Sequence, residues 1–256
     1  VRPVHADGEA PGPHGPVRHR RAGFRAGAPV QLAPSQDAPV VGVNPKTPDT
    51  RSLRLMRWGL VPYHAKDAAK PIINARAETL AQRPAFRGLL PRRRCLVPAD
   101  GFYEWRREGR FRTPMRFTLK SGQPFAFAGL WDRWLQPDGS PLYSFTIVTT
   151  SPNSVLEPVH NRMPVMLLPE DEARWLDPVT TDPAALSQLL KPYPAELMEG
   201  YCVSRAVNSP MTDSSSGDVC ESSKQKTKKH RAGRSTPYLA AHTLISEAKG
   251  PRPLAP

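Results

Sequence analysis

The chain has 256 residues, enough for one large domain or two small ones, and a formal net charge of +13 that favours a polyanionic partner, nucleic acid first. It contains no apolar run of membrane-spanning length and no apolar stretch typical of a signal peptide near its start, so we expect a cytoplasmic protein. Its cysteines form no C-x-x-C pair, which argues against a zinc ribbon.

The first part of the chain changes character near Pro29. Residues 1–27 are rich in proline, glycine, histidine and arginine and follow neither a helical nor a strand period, so on composition alone they predict a disordered basic arm. Short extended pieces are predicted at 30–36 and 39–43. Alternating apolar and polar residues then predict a strand at 53–58.

The middle of the chain combines short strands with one short helix. Residues 72–79 lead into a predicted helix near 84–90, and a run of three arginines precedes the Cys95–Trp105 stretch. Residues 115–119 and 125–131 are predicted to pair as a β-hairpin across a Ser-Gly turn.

The next part of the chain contains further strands and two helices. Strands are predicted at 142–150 and 164–168. A helix should begin at Pro169 and end before the next proline, because proline suits the first helical position and acidic residues suit the first turn. A second short helix is expected at 183–190 and a last strand at 201–203.

These elements predict the fold class. Strands outnumber helices and do not alternate with them, so we expect a single α+β domain of mostly antiparallel strands with a few short helices, at residues 24–208. The flanking segments 1–23 and 209–256 are expected to be disordered. The basic run at 224–231 is interpreted first as solvated charge, with a secondary contribution to DNA affinity.

Glu104 is the first candidate for chemistry, because it lies among three aromatic residues, Phe102, Tyr103 and Trp105. In a strand, Glu104 points to the same side as Phe102 and away from the other two. A carboxylate packed among aromatics is poorly solvated and needs a partner or a shifted pKa. The alternative is an exposed glutamate on a half-buried strand, which is the commoner case for an arbitrary glutamate.

Three further residues occupy unusual positions. Asn74 follows an apolar pair at a strand end, His160 precedes an apolar strand, and Trp58 places a large aromatic beside a glycine. Each signal alone is weak, because such histidines and asparagines are often structural. Together with the positive charge they predict a cleft with an acid/base pair and stacking surfaces for nucleic acid.

Four separated motifs occur in a fixed order: Trp58–Pro62, Asn74–Thr79, Cys95–Trp105 and His160–Pro164. Together they resemble the motif set of the SRAP family of abasic-site processing proteins, over about residues 30–208. The resemblance implies the SRAP fold and a role in DNA repair and the SOS response. It also implies a nucleoid-associated monomer that binds single-stranded DNA containing abasic sites, with no membrane contact, cofactor or metal.

The resemblance also implies a covalent chemistry. In the family, the α-amine of an N-terminal cysteine condenses with the ring-opened sugar aldehyde, and its thiol closes a thiazolidine; lyase-like and self-processing peptidase activities accompany this crosslink. By resemblance, Glu104 would position and polarise the amine, His160 would act as acid and base, and Asn74 would hydrogen-bond the sugar. A neutral amine and a group that titrates near neutral pH suit these steps.

The same resemblance predicts a DNA-binding set. Arg76 and Arg162 would hold phosphates. The remaining members would be Thr149 and, shaping the DNA-binding surface, Pro34, Trp58 and Trp105.

The sequence departs from the family at its start. The family opens Met-Cys-Gly-Arg, whereas this sequence opens Val-Arg-Pro-Val. Cys95, Cys202 and Cys220 cannot substitute, because the thiazolidine needs an α-amine and a thiol on one residue. A protein with this literal sequence is therefore predicted to be crosslink-deficient.

Back-translation suggests a cause for the departure. With common GC-rich codons, the bases encoding residues 1–8, read from an ATG that begins two bases earlier, spell Met-Cys-Gly-Arg-Phe-Thr-Leu-Thr. Our hypothesis is that residues 1–21 are a frame-shifted reading of the N-terminus and that the frame is restored before Phe24. Resequencing the start of the gene tests it, because a missing ATG, or no TGC codon after it, refutes the hypothesis.

Two alternatives stay open. The first is a non-catalytic single-stranded-DNA-binding relative that shields abasic sites. The second is a hydrolase that uses Glu104 and His160, perhaps with a metal. The second is disfavoured, because no second histidine lies at metal-ligand spacing beside His160.

Overall fold

The computed structural model describes residues 31–44, 47–208 and 240–242. The two segments predicted to be disordered therefore lie outside the described residues, apart from 240–242. Within the described part of the chain, no helix is both long and apolar enough to cross a membrane.

The described chain consists of strands and three short α-helices. The strands are β1 (Gln31–Leu32), β2 (Asp37–Asn44), β3 (Thr47–Trp58), β4 (Asn74–Arg76), β5 (Arg94–Ala99), β6 (Gly101–Glu108), β7 (Phe111–Leu119), β8 (Phe125–Leu135), β9 (Pro141–Thr150), β10 (Met163–Pro164), β11 (Met166–Leu167), β12 (Met198–Cys202) and β13 (Ala240–His242). The helices are α1 (Pro84–Arg87), α2 (Pro169–Leu176) and α3 (Pro183–Ser187), with 3₁₀ turns at Ala77–Thr79, Ala195–Leu197 and Arg205–Asn208.

The strands form two sheets, and one of them closes on itself. In it, β9 pairs with β3, β3 with β2, β2 with β5, β5 with β8, and β8 pairs back with β9. The other sheet has the order β1, β13, β6, β7, β12. Most pairings are antiparallel, which confirms the predicted α+β class with few short helices. The closed ring was not predicted.

The predicted hairpin between 115–119 and 125–131 is wrong. β7 pairs with β6 and β12, whereas β8 pairs with β5, β9 and β11 in the other sheet. The Ser121–Gly122 turn carries the chain from one sheet to the other, and both strands contribute buried side chains to one core. The turns of the β6–β7 and β8–β9 hairpins contain Gly109 and Gly139, each with a positive φ that glycine adopts without strain.

The short strand β13 lies between β1 and β6 and is parallel to both. Its register places Ala240 opposite Gln31 on one side and opposite Gly101 on the other. Three residues of the segment 209–256 thus take part in the fold. They cover an edge of β6 whose backbone groups would otherwise lack strand partners.

A shared core lies between the closed ring and the second sheet. Its largest fully buried side chains are aromatic: Trp58, Phe102, Phe117, Phe127 and Phe145. A second cluster packs the helices against the ring and includes the fully buried Trp175 of α2. The Trp175 Nε1–H donates to the Cys95 carbonyl at 3.0 Å, which attaches α2 to β5.

Candidate functional site

A cavity of about 530 Å³ lies beside the end of β9. It brings together five of the predicted site residues, which come from three separate parts of the chain: Asn74, Arg76, Thr149, His160 and Arg162. The other four predicted residues, Pro34, Trp58, Glu104 and Trp105, do not line it.

Strand pairing explains how the cavity residues meet. β4 runs parallel to β9, with Arg76 opposite Thr149, and β10 pairs with the other edge of β9, with Pro164 opposite the same Thr149. In β4 the alternation of a strand buries Ala75 and leaves Arg76 exposed. The loop that carries His160 and Arg162 enters β10, so it reaches the cavity from the opposite side.

The Arg162 guanidinium ties these segments together. Its Nη2 donates to the Thr149 carbonyl at 2.6 Å, and Nη1 and Nη2 donate to the two carboxylate oxygens of Glu78 at 2.7 and 2.9 Å. The hydrogen bond from Arg162 keeps the pKa of Glu78 below its ordinary value. The Arg162 side chain is only 15% exposed, and its Nε has no hydrogen-bond partner among the described residues.

His160 is oriented by the backbone of the same loop. Its Nδ1 lies 3.1 Å from both the N–H and the carbonyl oxygen of Arg162. In one neutral tautomer Nδ1 accepts from that N–H and the proton lies on Nε2; in the other neutral tautomer, and in the charged ring, Nδ1–H can donate to the carbonyl. His160 therefore has a hydrogen-bond partner in either protonation state, as an acid/base group needs.

Glu104 lies on β6 and is almost completely buried, with 3% of its surface exposed. Burial raises its pKa well above the ordinary value, opposed by a hydrogen bond from the Trp105 backbone N–H. Its Oε1 accepts no hydrogen bond from the described residues. Poor solvation was predicted and is confirmed, whereas the alternative of an exposed glutamate is wrong. Phe102 belongs to the main core, while Tyr103 and Trp105 form a separate cluster, as strand alternation requires.

The predicted surface role of Trp58 needs correction. Trp58 is fully buried, so it cannot stack on a DNA base. Its Nε1–H donates to the Ile73 carbonyl at 3.0 Å, directly before Asn74. Trp58 therefore acts on the cavity indirectly, by fixing the segment that carries Asn74. Pro34 and Trp105 are half-buried and lie outside the cavity.

Four polar residues line the cavity that the sequence did not single out: Lys70, Thr79, Arg83 and Asn161. Lys70 and Arg83, like Arg76, are exposed and form no ion pair with the described residues. None of the described lining residues is acidic. A single lysine or arginine in a loop belongs to no recognisable sequence motif. Only the nearness of Lys70 and Arg83 to Asn74 in the sequence could therefore have suggested them. Among the described residues, no three His, Cys, Asp or Glu side chains are grouped as a metal site.

Comparisons with a family model and with known proteins all indicate the same family. The family model "SOS response associated peptidase (SRAP)" matches residues 18–210. The abasic site processing protein YoqW of Bacillus subtilis is 52% identical over 162 residues, which cover 62% of this chain and 72% of that protein. The abasic site processing protein HMCES of Gallus gallus is 34% identical over 190 residues, covering 64% of this chain and 56% of that protein.

Solved structures show the same architecture. A protein from Bacteroides thetaiotaomicron superimposes with a TM-score of 0.63 at 31% identity. The matched region covers 69% of this chain and 78% of the chain of that protein. A protein from Bordetella bronchiseptica superimposes with a TM-score of 0.60 at 27% identity, and the matched region covers 69% of this chain and 92% of that protein's chain.

Proposed function

The chain belongs to the SOS response associated peptidase (SRAP) family, and we propose that it processes abasic sites in DNA. The observation that carries the proposal is the cavity, which combines Asn74 and His160 with exposed cations and has no acidic residue among its described lining. Such a cavity suits a reacting sugar flanked by phosphates. The names of the relatives point to the same substrate.

We propose that the bound DNA is single-stranded. A cavity of about 530 Å³ has room for a nucleotide turned out of its strand, and in a single strand no base pairing with a partner strand has to be broken for this. Arg76 would hold a phosphate, as predicted, and Lys70 and Arg83 would extend the basic surface beyond it. A location at the nucleoid follows from this substrate and is part of the proposal.

In the reaction, we assign His160 the proton transfers and Asn74 the hydrogen bond to the sugar. The Nε2–H of neutral His160 can donate to the leaving ring oxygen when the sugar opens, and the ring can later take a proton back. Glu104 lies outside the described cavity lining, but the family resemblance implies that it accepts the proton of the attacking amine; burial raises its pKa and so makes its carboxylate a stronger base than an ordinary one.

The covalent step needs a cysteine whose α-amine is free. This sequence has no cysteine before Cys95, and Cys95 is fully buried with a strongly raised thiol pKa caused by desolvation. We propose that thiazolidine formation, and the lyase-like and peptidase activities with it, need the Met-Cys-Gly-Arg start. A protein with this literal sequence would bind and shield abasic DNA without crosslinking it.

One experiment tests both parts of this proposal. The 256-residue protein and a version that starts Met-Cys-Gly-Arg are incubated with abasic single-stranded DNA and with intact DNA of the same sequence. We expect a heat-stable adduct on a denaturing gel only for the second protein with abasic DNA, and native-gel binding for both proteins. An adduct from the 256-residue protein would refute the requirement for the cysteine, and absence of binding by both would refute the proposed function.

A further inference from the structure

The contact between Glu78 and Arg162 has no role in the function proposed so far. Both carboxylate oxygens of Glu78 accept from the two terminal nitrogens of Arg162, at 2.7 and 2.9 Å. This is the bidentate edge with which arginine binds phosphate. In the DNA-free protein that edge is already occupied, although Arg162 lines the cavity.

The two partners differ in how firmly they are held. The Glu78 side chain is 52% exposed, whereas that of Arg162 is 15% exposed. Arg162 also donates to the Thr149 carbonyl at 2.6 Å, a bond that does not depend on Glu78. Removing Glu78 from the contact would therefore free two N–H donors and leave the guanidinium in place.

From these contacts we propose that Glu78 is an internal competitor of the DNA phosphate for Arg162. Glu78 occupies the bidentate edge of Arg162 when DNA is absent, and a phosphate of the bound single strand displaces it. The inference rests on the proposed function and adds a residue that sets DNA affinity at the same site. An exposed ion pair contributes little net stability, so the exchange costs less than about fivefold in affinity.

The test is a double-mutant cycle read by fluorescence anisotropy with a labelled abasic oligonucleotide. We expect Glu78→Gln to tighten binding by about three- to fivefold. The slope of log affinity against log salt should stay nearly unchanged, because the same phosphate binds Arg162 in both proteins. In an Arg162→Gln background the same change should alter affinity very little, because the freed donors are then missing.

Glu157→Gln is the matched control, since Glu157 is an exposed glutamate near His160 that forms no ion pair with the described residues. Equal tightening by Glu78→Gln in both backgrounds would show simple charge repulsion and overturn the inference, as would tightening by Glu157→Gln of the same size. Weaker binding of Glu78→Gln would overturn it too, by making Glu78 a support for Arg162.

The experiment distinguishes failure of the proposed role of Glu78 from failure of the proposed function. If the wild-type protein binds abasic DNA but the cycle is additive, only the role of Glu78 fails; if the wild-type protein does not bind, the proposed function fails and this inference with it. Should Arg162→Gln unfold in a thermal melt, Arg162→Lys replaces it, because an ammonium group lacks the two parallel N–H donors. The effect of Glu78→Gln must then be smaller than in wild type.

Discussion

The cavity beside β9 and the surroundings of Glu104 handle charge in opposite ways. In the cavity the cations are exposed or paired, and Arg162 is held by Glu78 and Thr149. Glu104 shares its side of β6 with Phe102 and lies opposite Met115 of β7, its carboxylate is buried, and its Oε1 lacks a partner among the described residues. The first region can exchange partners with an incoming polyanion, whereas the second can hold or release a proton.

This difference suggests a division of labour. Binding of DNA should depend on the cavity, and the chemical step should depend in addition on Glu104. Changes in one region should therefore leave the property of the other nearly intact.

The largest effect is expected for Glu104→Gln in a protein that starts Met-Cys-Gly-Arg. Crosslinking to abasic single-stranded DNA should slow by about 10² or more, because a glutamine cannot accept the amine proton. The rate is measured by quenched time points on denaturing gels. Glu108→Gln, an exposed position on the same strand, is the control. An unchanged rate would remove Glu104 from the mechanism.

The second largest effect is expected in the pH dependence of the free energy of unfolding, because Glu104 is a buried carboxylate. Burial raises the Glu104 pKa in the folded protein above that of the unfolded chain, so the unfolded chain loses its proton first as pH rises. The carboxylate therefore lowers the free energy of unfolding progressively above about pH 4.5, until the folded-state pKa is passed. Urea unfolding of wild type and Glu104→Gln should show a difference that grows with pH in this window; a constant difference would contradict the assignment.

The close approach of Gly59 to Pro71, a residue of the cavity lining, should limit which residues position 59 accepts. Gly59 has a φ of +123°, and a Cβ there would lie 2.9 Å from Pro71 Cβ. Gly59→Ala should lower the free energy of unfolding by about 2–3 kcal/mol, measured by urea unfolding. Gly42→Ala is the control, because a Cβ there would meet no atom within 4 Å. Equal effects of the two changes would show that the close approach at Gly59 is not restrictive.

The smallest effect is expected for a single exposed cation. Arg76→Gln should reduce the salt dependence of abasic single-stranded-DNA binding by about 0.7 in slope and weaken binding roughly fourfold at 0.15 M salt. Arg133→Gln, an exposed arginine on β8, should leave both unchanged. If both arginines matter equally, binding follows net charge and not the cavity.

Sequence reasoning succeeded where the signal was local. The aromatics beside Glu104 predicted its burial, and Pro169 with its acidic neighbours predicted the start of α2. It failed where pairing is decided at long range. A turn signal at Ser121–Gly122 could not show that β7 and β8 lie in different sheets.

The candidate site was also predicted only where its residues lie in local sequence motifs. Asn74 and His160 occur in recognisable motifs, and the structure places both in the cavity. Lys70 and Arg83 lie in loops without a pattern, so only the folded chain shows that they join them. Trp58 was assigned to the DNA-binding surface by resemblance and from its place at a strand end beside a glycine, but its side chain is fully buried in the core.

The central claim is that the cavity, and not the basic run at 224–231, binds abasic single-stranded DNA. Affinity for an abasic oligonucleotide, measured by anisotropy at 0.15 M salt, tests it with two variants that each remove two positive charges. We predict that Arg76→Gln with Arg83→Gln weakens binding by roughly tenfold, while Lys228→Gln with Lys229→Gln changes it by less than about twofold. The reverse order would contradict the account.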